Sequence, residues 1–329
     1  MSGASRSCLL VLPKSFYSFT RVFSDALAEC GYAVTLANDE YPENPFGKVL
    51  AKLDLPMARW WTRRTISRRF LAGRRWDLVM IIKGRGITPR LVAEMKHHAG
   101  RVVGYQFDSL DYDRALRRWT GAVDRMTTFD YRDAAAEGWP VAELFSTQPS
   151  PEAPVLQRHR VSAILRNHSR RLAYVDAVLR AIGEEGSFVY IYEKSRLSFV
   201  LNALRTPGLY WRRRNWIHFR PLPYDRYIAA LAGSDFTIDY AHPKQSGATM
   251  RAFEALAMGV KLISNNGDMR CSRFFGSENC VIQPEEGDAG VLRAEVMALA
   301  GARPLMHRRS PVDLVLEIVG EGAATGQGG

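Results

Sequence analysis

Long apolar runs are missing from this 329-residue chain; the best, Leu78–Ile82, is far short of the roughly 20 residues that a helical membrane span needs. Cysteine is scarce: Cys8, Cys30, Cys271 and Cys280 form no CxxC pair and have no histidine at zinc spacing. They read as buried thiols rather than as disulfide or metal ligands. The 26 glycines follow no triplet period, which excludes a collagen, and an apolar fraction of 47% excludes a disordered chain. Residues 1–7 hold one arginine ahead of a short apolar strand, not a secretory segment with a cleavage site. A soluble cytoplasmic protein is therefore expected. Acid is also in short supply, with 34 Asp and Glu against 45 Lys and Arg, a net charge of +11. That balance points to an anionic partner: nucleic acid, a nucleotide or phosphate, or an anionic membrane surface.

The pattern along the chain alternates strands with helices. Residues 7–12 (SCLLVL) read as a strand, followed by a helix to Glu29 with Phe16, Phe19, Val22, Phe23, Ala26 and Leu27 at three- and four-residue steps. Gly31 closes that helix and residues 32–37 form the next strand, a βαβ start that sets the class as α/β. Further strands are expected at 77–82, 102–107 and 124–129. The rhythm stops over residues 146–155, where three prolines mark a linker. It restarts with strands at 161–165, 188–192, 236–240 and 260–264 and helices at 170–182, 224–232 and 249–258. Two parallel-sheet domains follow, residues 1–150 and 151–318, with a disordered Gly/Ala-rich tail at 319–329 and the chemistry expected in a cleft between them.

The densest polar segment after a strand runs from Asp239 through His242, Gln245, Ser246, Gly247, Thr249 and Arg251 to Glu254. Thr249 can cap a helix, Gly247 allows close backbone approach, and the free N–H groups at a helix start suit an anion such as a diphosphate. Arg251 and Glu254, three apart, share a helix face, where an arginine could meet phosphate and a carboxylate two ribose hydroxyls. An ordinary capped helix with an exposed Arg–Glu pair has the same spacing.

The series HPxQxGxTxRxxE, followed by an apolar helix and KLISNN at 261–266, resembles bacterial GT-B glycosyltransferases, in particular those of lipopolysaccharide and capsular polysaccharide biosynthesis. Residues 77–84 (DLVMIIKG), 105–110 (YQFDSL), 124–133 (DRMTTFDYRD), 223–227 (PYDRY) and 274–282 (FFGSENCVI) fit the same group in order. The loop 166–171 (RNHSRR) departs from it, lacking the usual glycine. The resemblance implies two Rossmann-like domains facing across a cleft, a nucleotide-sugar donor on the second and a glycan or glycolipid acceptor on the first. Glu254 would hold the donor ribose; Gln245, Ser246, Gly247 and Thr249 would line phosphate and sugar; Arg251 would offset the diphosphate. Asp239 and His242 would flank the sugar, and Arg166, Arg170 and Arg171 would face donor phosphate or form a solvated basic face. No cofactor or metal is expected, and Asp111-Tyr112-Asp113 reads as a chance match to the DxD metal motif of other glycosyltransferases. An acceptor-side base should end a strand, and Asp108 is the candidate; a helix N-cap is its ordinary alternative. Lys83 is a second cleft residue, and Asp130 reads as a helix cap.

Seven arginines and no acid lie between Arg59 and Arg75. Trp60 and Trp61 with Arg63, Arg64, Arg68 and Arg69 suit an anionic membrane surface, base stacking, or a solvated loop with packed tryptophans. The apolar residues there spread over more than half of a helical wheel, so no clean amphipathic helix is expected. Peripheral attachment to the inner face of the cytoplasmic membrane is the reading adopted, with nucleic acid as the less favoured partner. A nucleic-acid-binding α/β protein and a non-catalytic nucleotide-sugar-binding module are the alternatives to a transferase.

Overall fold

The computed structural model describes residues 5–14, 17–147, 158–302 and 305–321. The chain divides into two compact units, Met1–Thr147 with Ser310–Gly329, and Gln148–Arg309. The proline-rich stretch at 148–157 lies outside the described residues, as does the tail from residue 322.

The first unit is built on five parallel strands, β1 (Arg6–Leu12), β2 (Tyr32–Asn38), β3 (Leu78–Ile82), β4 (Val102–Gln106) and β5 (Arg125–Thr128), in the order β2-β1-β3-β4-β5. Parallel strands covered on both faces are apolar throughout, and β3 and β4 are buried at every position. Trp119 is fully buried against β4, where an added Cβ on Gly104 would meet its ring at 2.6 Å. The glycine therefore makes room for the indole.

The helix Pro311–Val319 is a correction to the expected domains. By their place in the chain residues 311–318 are expected in the second domain, yet this helix packs on Tyr17–Glu29, β4 and β5 of the first unit. A Ser310–Asp313 capping box starts it, and Leu314, Val315, Ile318 and Val319 bury its apolar face. Arg125 donates to the Glu317 carbonyl at 3.3 Å, and Arg6 meets Glu321 at 3.1 Å. Residues 56–71, expected as a non-amphipathic basic stretch, form the helix Pro56–Ile66 and a π-helical turn Ser67–Leu71. Only a narrow stripe, Ala58, Thr62 and Ile66, is buried on that helix.

The second unit holds six parallel strands, β6 (His159–Arg166), β7 (Ser187–Tyr192), β8 (Ile217–His218), β9 (Ser234–Asp239), β10 (Lys261–Ser264) and β11 (Cys280–Ile282), in the order β11-β10-β9-β6-β7-β8. Its core centres on Val161, Val175, Leu179, Phe236, Ile238 and Ile263. Lys261 turns inward and donates to the Leu299 and Ala302 carbonyls at 2.6 and 2.8 Å, closing the C-terminal end of the helix Ala289–Ala300. Of the cysteines, all unpaired, Cys8 and Cys280 are buried as expected, whereas Cys271 is exposed.

Candidate functional site

In the second unit the chemistry gathers where β6 and β9 end, at the carboxyl edge of the sheet, the usual place for ligands in open parallel sheets. β9 delivers Asp239, almost fully buried, and a ten-residue loop leads to the helix Met250–Ala257. Thr249 caps that helix, its hydroxyl accepting from the Ala252 N–H at 3.3 Å. Arg251, in the first turn, reaches back to Asp239, Nη1 to Oδ1 at 3.1 Å. Its Nε is buried without a hydrogen-bond partner.

A second arginine faces the same region. Arg171 starts the helix Arg171–Ile182 and donates to the Tyr240 and Arg166 carbonyls at 3.0 and 3.2 Å. Its Nε too is buried and unpartnered. Burial, then repulsion from Arg251, lowers the Arg171 guanidinium to about 10. Partial burial and the cations Arg171 and Arg166 push the nearby His168 imidazole down to about 4. The His168 and His242 rings lie 6.3 Å apart, and burial with Arg171 and Lys244 lowers His242 as well. Crowded cations with buried, unpartnered donors are chemistry that suits an anionic ligand.

Glu254 stands one turn along the helix from Arg251. Tyr227 donates to its Oε2, and Tyr224 to Oε1 at 3.3 Å, both from the helix Tyr224–Ala232. Burial raises the Glu254 carboxyl above its ordinary value, opposed by the Tyr227 hydrogen bond and Arg251. Beside it lies a cavity of about 170 Å³ walled by Arg166, Tyr190, Tyr192, Leu222, Tyr227 and Arg251. Aromatic rings with two guanidinium groups at the rim suit a base and its phosphates.

The loop itself is held by two consecutive amides, Asn265 and Asn266. Asn265 exchanges hydrogen bonds with Ala241, accepting at 2.8 Å and donating to its carbonyl at 3.1 Å. Asn266 donates to the Ser246 carbonyl at 2.7 Å. Ser246 and Gly247 are thus buried wall, while His242 Nδ1 accepts from the Lys244 N–H in a tight turn closed by Gln245 N–H to His242 O, 2.8 Å. Arg251 pairs with Asp239, shares the cavity wall with Arg166, and lies one turn from Glu254. Arg170 does not join them: it is exposed and pairs with Glu285 at 3.0 Å, so Arg171 is the arginine that turns inward. The signals for the missed residues were present in Asn265-Asn266 after the strand and in Tyr224 and Tyr227, three apart on one helix.

In the first unit Asp108 follows β4 and forms an ion pair with Lys83, which follows β3. Lys83 and Gly84 both take left-handed backbone, φ 64° and 69°, and the Lys83 carbonyl accepts from Gln106 at 3.3 Å. Behind the turn, Asp39 accepts from the Arg85 N–H at 3.1 Å and leaves its other oxygen buried and unpartnered. Burial raises this carboxyl to about 7, with Glu40 adding to the rise. Asp130 caps the helix Tyr131–Glu137, and Asp113 caps a 3-10 turn at Arg114–Leu116. Among the described residues, no three His, Cys, Asp or Glu side chains converge as metal ligands, and no helix is long and apolar enough to cross a membrane.

Residues 189–295 match the family model described as "Glycosyl transferase-like". No curated protein sequence matches the chain. Among solved structures, AviGT4, a glycosyltransferase involved in avilamycin A biosynthesis, is 15% identical with a TM-score of 0.57, over 96% of this chain and 97% of that one. HepE from Anabaena, solved with UDP and glucose, is 12% identical with a TM-score of 0.56 over the same shares. The UDP-GlcNAc 2-epimerase of Methanocaldococcus jannaschii is 10% identical with a TM-score of 0.55, over 95% of this chain and 99% of that one. The fold is GT-B. In this GT-B chain the family match spans the helix Tyr224–Ala232, the loop after β9, the helix Met250–Ala257 and β10, which carry Tyr227, Arg251, Glu254 and Asn266.

Proposed function

We propose that the protein is a glycosyltransferase that moves a sugar from a nucleotide-sugar donor to a surface-polysaccharide or lipid-linked glycan acceptor, without a metal. The observation that carries this reading is the pair of arginines, Arg171 and Arg251, with buried unpartnered Nε atoms, Arg251 lying one turn from Glu254 and in the wall of an aromatic cavity. In transfer, the bond from the sugar's anomeric carbon to the diphosphate breaks as a bond to the acceptor oxygen forms. The guanidinium groups stabilise the departing diphosphate, the part that a cation plays in metal-dependent enzymes. Glu254 accepts hydrogen bonds from the ribose hydroxyls. Asp108 takes the acceptor's proton, held in place by Lys83. UDP is the first nucleotide to test, since the Anabaena relative was solved with it.

The exposed Trp60 and Trp61, with Arg64, Arg68 and Arg69 also exposed, support docking of the first unit on anionic lipid. Arg63 contributes less, because it pairs with Glu94. A nucleic-acid partner leaves Glu254 and its tyrosines without a task.

A thermal-shift panel of UDP-, GDP-, CMP- and dTDP-sugars tests the reading. One of them at a hundredfold excess over its Kd should stabilise the chain by about 2.7 kcal/mol. Analysis of products with that donor then separates transfer from epimerisation. No stabilisation by any of the four overturns the proposal.

A further inference from the structure

The helix Arg196–Arg205 in the second unit has its amphipathic sense reversed. A surface helix ordinarily turns apolar residues to the core and polar ones to water. Here no residue is fully buried, and Ser198 and Asn202 point inward, donating to the Glu193 carboxylate at 2.8 and 3.3 Å. Glu193 is itself fully buried and also accepts from Asn167 and Tyr210, at 2.5 and 2.9 Å. Phe199 and Ala203 rest against the apolar core beside them. The face left outside is Leu197, Val200, Leu201 and Leu204, with Leu197 and Leu204 70% and 75% exposed.

At 3.6 residues per turn these four side chains span about 100° of the helix circumference. Arg196 and Arg205 fall on opposite sides of that arc, each about 90° from its centre, and neither forms an ion pair among the described residues. The next helix, Pro207–Arg212, adds Trp211, 74% exposed, with the Arg214 guanidinium 5.0 Å from its ring centre. Residues 194–224 contain no Asp or Glu, and the acids that meet Arg212 and Arg213, Asp176 and Glu184, belong to other elements.

We infer that this helix is a lipid-docking surface of the second unit, seating its leucines among the acyl chains of an anionic bilayer while Arg196 and Arg205 reach the headgroups. Single exposed apolar residues are commonplace, but four contiguous ones on one helix, bordered by cations, are not. Flanking arginines suit lipid because their long stems lie along the apolar face while the guanidinium groups meet phosphate. A second copy of the chain would bring arginine against arginine. The four side chains, on the order of a few hundred Å², also fall short of the roughly 800 Å² per partner of a stable dimer. The inference concerns different residues from Trp60 and Trp61 and does not depend on the transferase reading.

The test is sedimentation of the full chain with vesicles of phosphatidylcholine alone or mixed with phosphatidylglycerol. The unmodified chain should favour the anionic vesicles. L201E/L204E should lower that partition at least about tenfold with Trp60 and Trp61 intact, because it places charge on the face that enters lipid. R196Q/R205Q should weaken binding and flatten its salt dependence. The altered side chains are exposed or half-exposed, so circular dichroism and nucleotide-induced stabilisation should match the unmodified chain, which separates this result from any failure of the donor site. Unchanged partition of L201E/L204E overturns the inference. So does a dimer in light scattering that L201E/L204E turns to monomer.

Discussion

Arg251 and Asp239 form an ion pair across the turn from β9 into the helix Met250–Ala257, and the arginine's remaining buried nitrogen has no protein partner. The pair is incomplete as a purely structural feature. A buried charge with a satisfied partner needs its other donors satisfied too, and a phosphate oxygen would do that here. R251A should therefore have two effects. It leaves Asp239 buried without its cation, costing about 3 kcal/mol in denaturant unfolding, a loss that the double variant R251A/D239N should largely recover. It should also weaken nucleotide-diphosphate binding in calorimetry about 10- to 100-fold, the worth of a charged hydrogen bond. Recovery of stability without recovery of affinity is the expected signature; if both return together, Arg251 acts only through Asp239.

Glu254 gives a prediction with a pH sign. Burial raises its carboxyl above the ordinary glutamate value. It therefore protonates at a higher pH than an exposed glutamate, and on acidification it would lose acceptor strength toward the proposed ribose early. Binding of a plain nucleoside, which has no phosphate to titrate, should weaken as pH falls through the raised value. E254Q should bind more weakly at neutral pH and show a flatter profile. A nucleoside affinity equal to that of the unmodified chain at pH 7.5 would remove Glu254 from the ribose site.

The loop from Asp239 to Glu254 was legible because each step has local chemistry: an alternating strand, a turn with Pro243 and Gly247, and a threonine cap. Which arginine of residues 166–171 turns inward was not. Ser169 takes left-handed backbone, φ 57°, and the helix begins at Arg171, so a one-residue shift sends Arg170 to Glu285 and Arg171 into the cluster. Sequence periodicity also says nothing of which side of an amphipathic helix is covered, so the outward leucines of Arg196–Arg205 had no signal. The helix Pro311–Val319 belongs to the first unit although it follows the second along the chain, and order along the chain carries no signal of that return. The Arg59–Arg75 stretch reads as a surface for anionic lipid or stacked bases, or as a solvated loop with packed tryptophans; in the structure Arg59 pairs with Asp54 and Arg63 with Glu94, acids from outside the segment.

Asp108 is the proposed base, and its ion pair with Lys83 fits a carboxylate held in one orientation. D108N keeps the shape and removes the proton acceptor. With donor and acceptor saturating, its turnover should fall by about 10²- to 10⁴-fold, the usual worth of general base catalysis, while donor affinity stays within twofold. Near-normal turnover would move the base elsewhere.

Asp39 yields the last prediction. The carboxyl is almost fully buried beneath the Lys83–Arg85 turn, and burial followed by the charge of Glu40 raises it to about 7, with the Arg85 N–H and Lys83 opposing. A folded value above the unfolded one means that the native state holds a proton which the unfolded chain has released. Between about pH 4 and pH 7 the group's contribution to stability is therefore lost progressively as pH rises. D39N keeps an acceptor for the Arg85 N–H and cannot ionise. Its stability relative to the unmodified chain should accordingly improve from pH 4.5 to pH 8, by about 3 kcal/mol, read as the change in urea midpoint at constant slope. A difference that stays flat across that range would mean that Asp39 is ionised in the folded protein throughout, with its unpartnered oxygen reached by solvent.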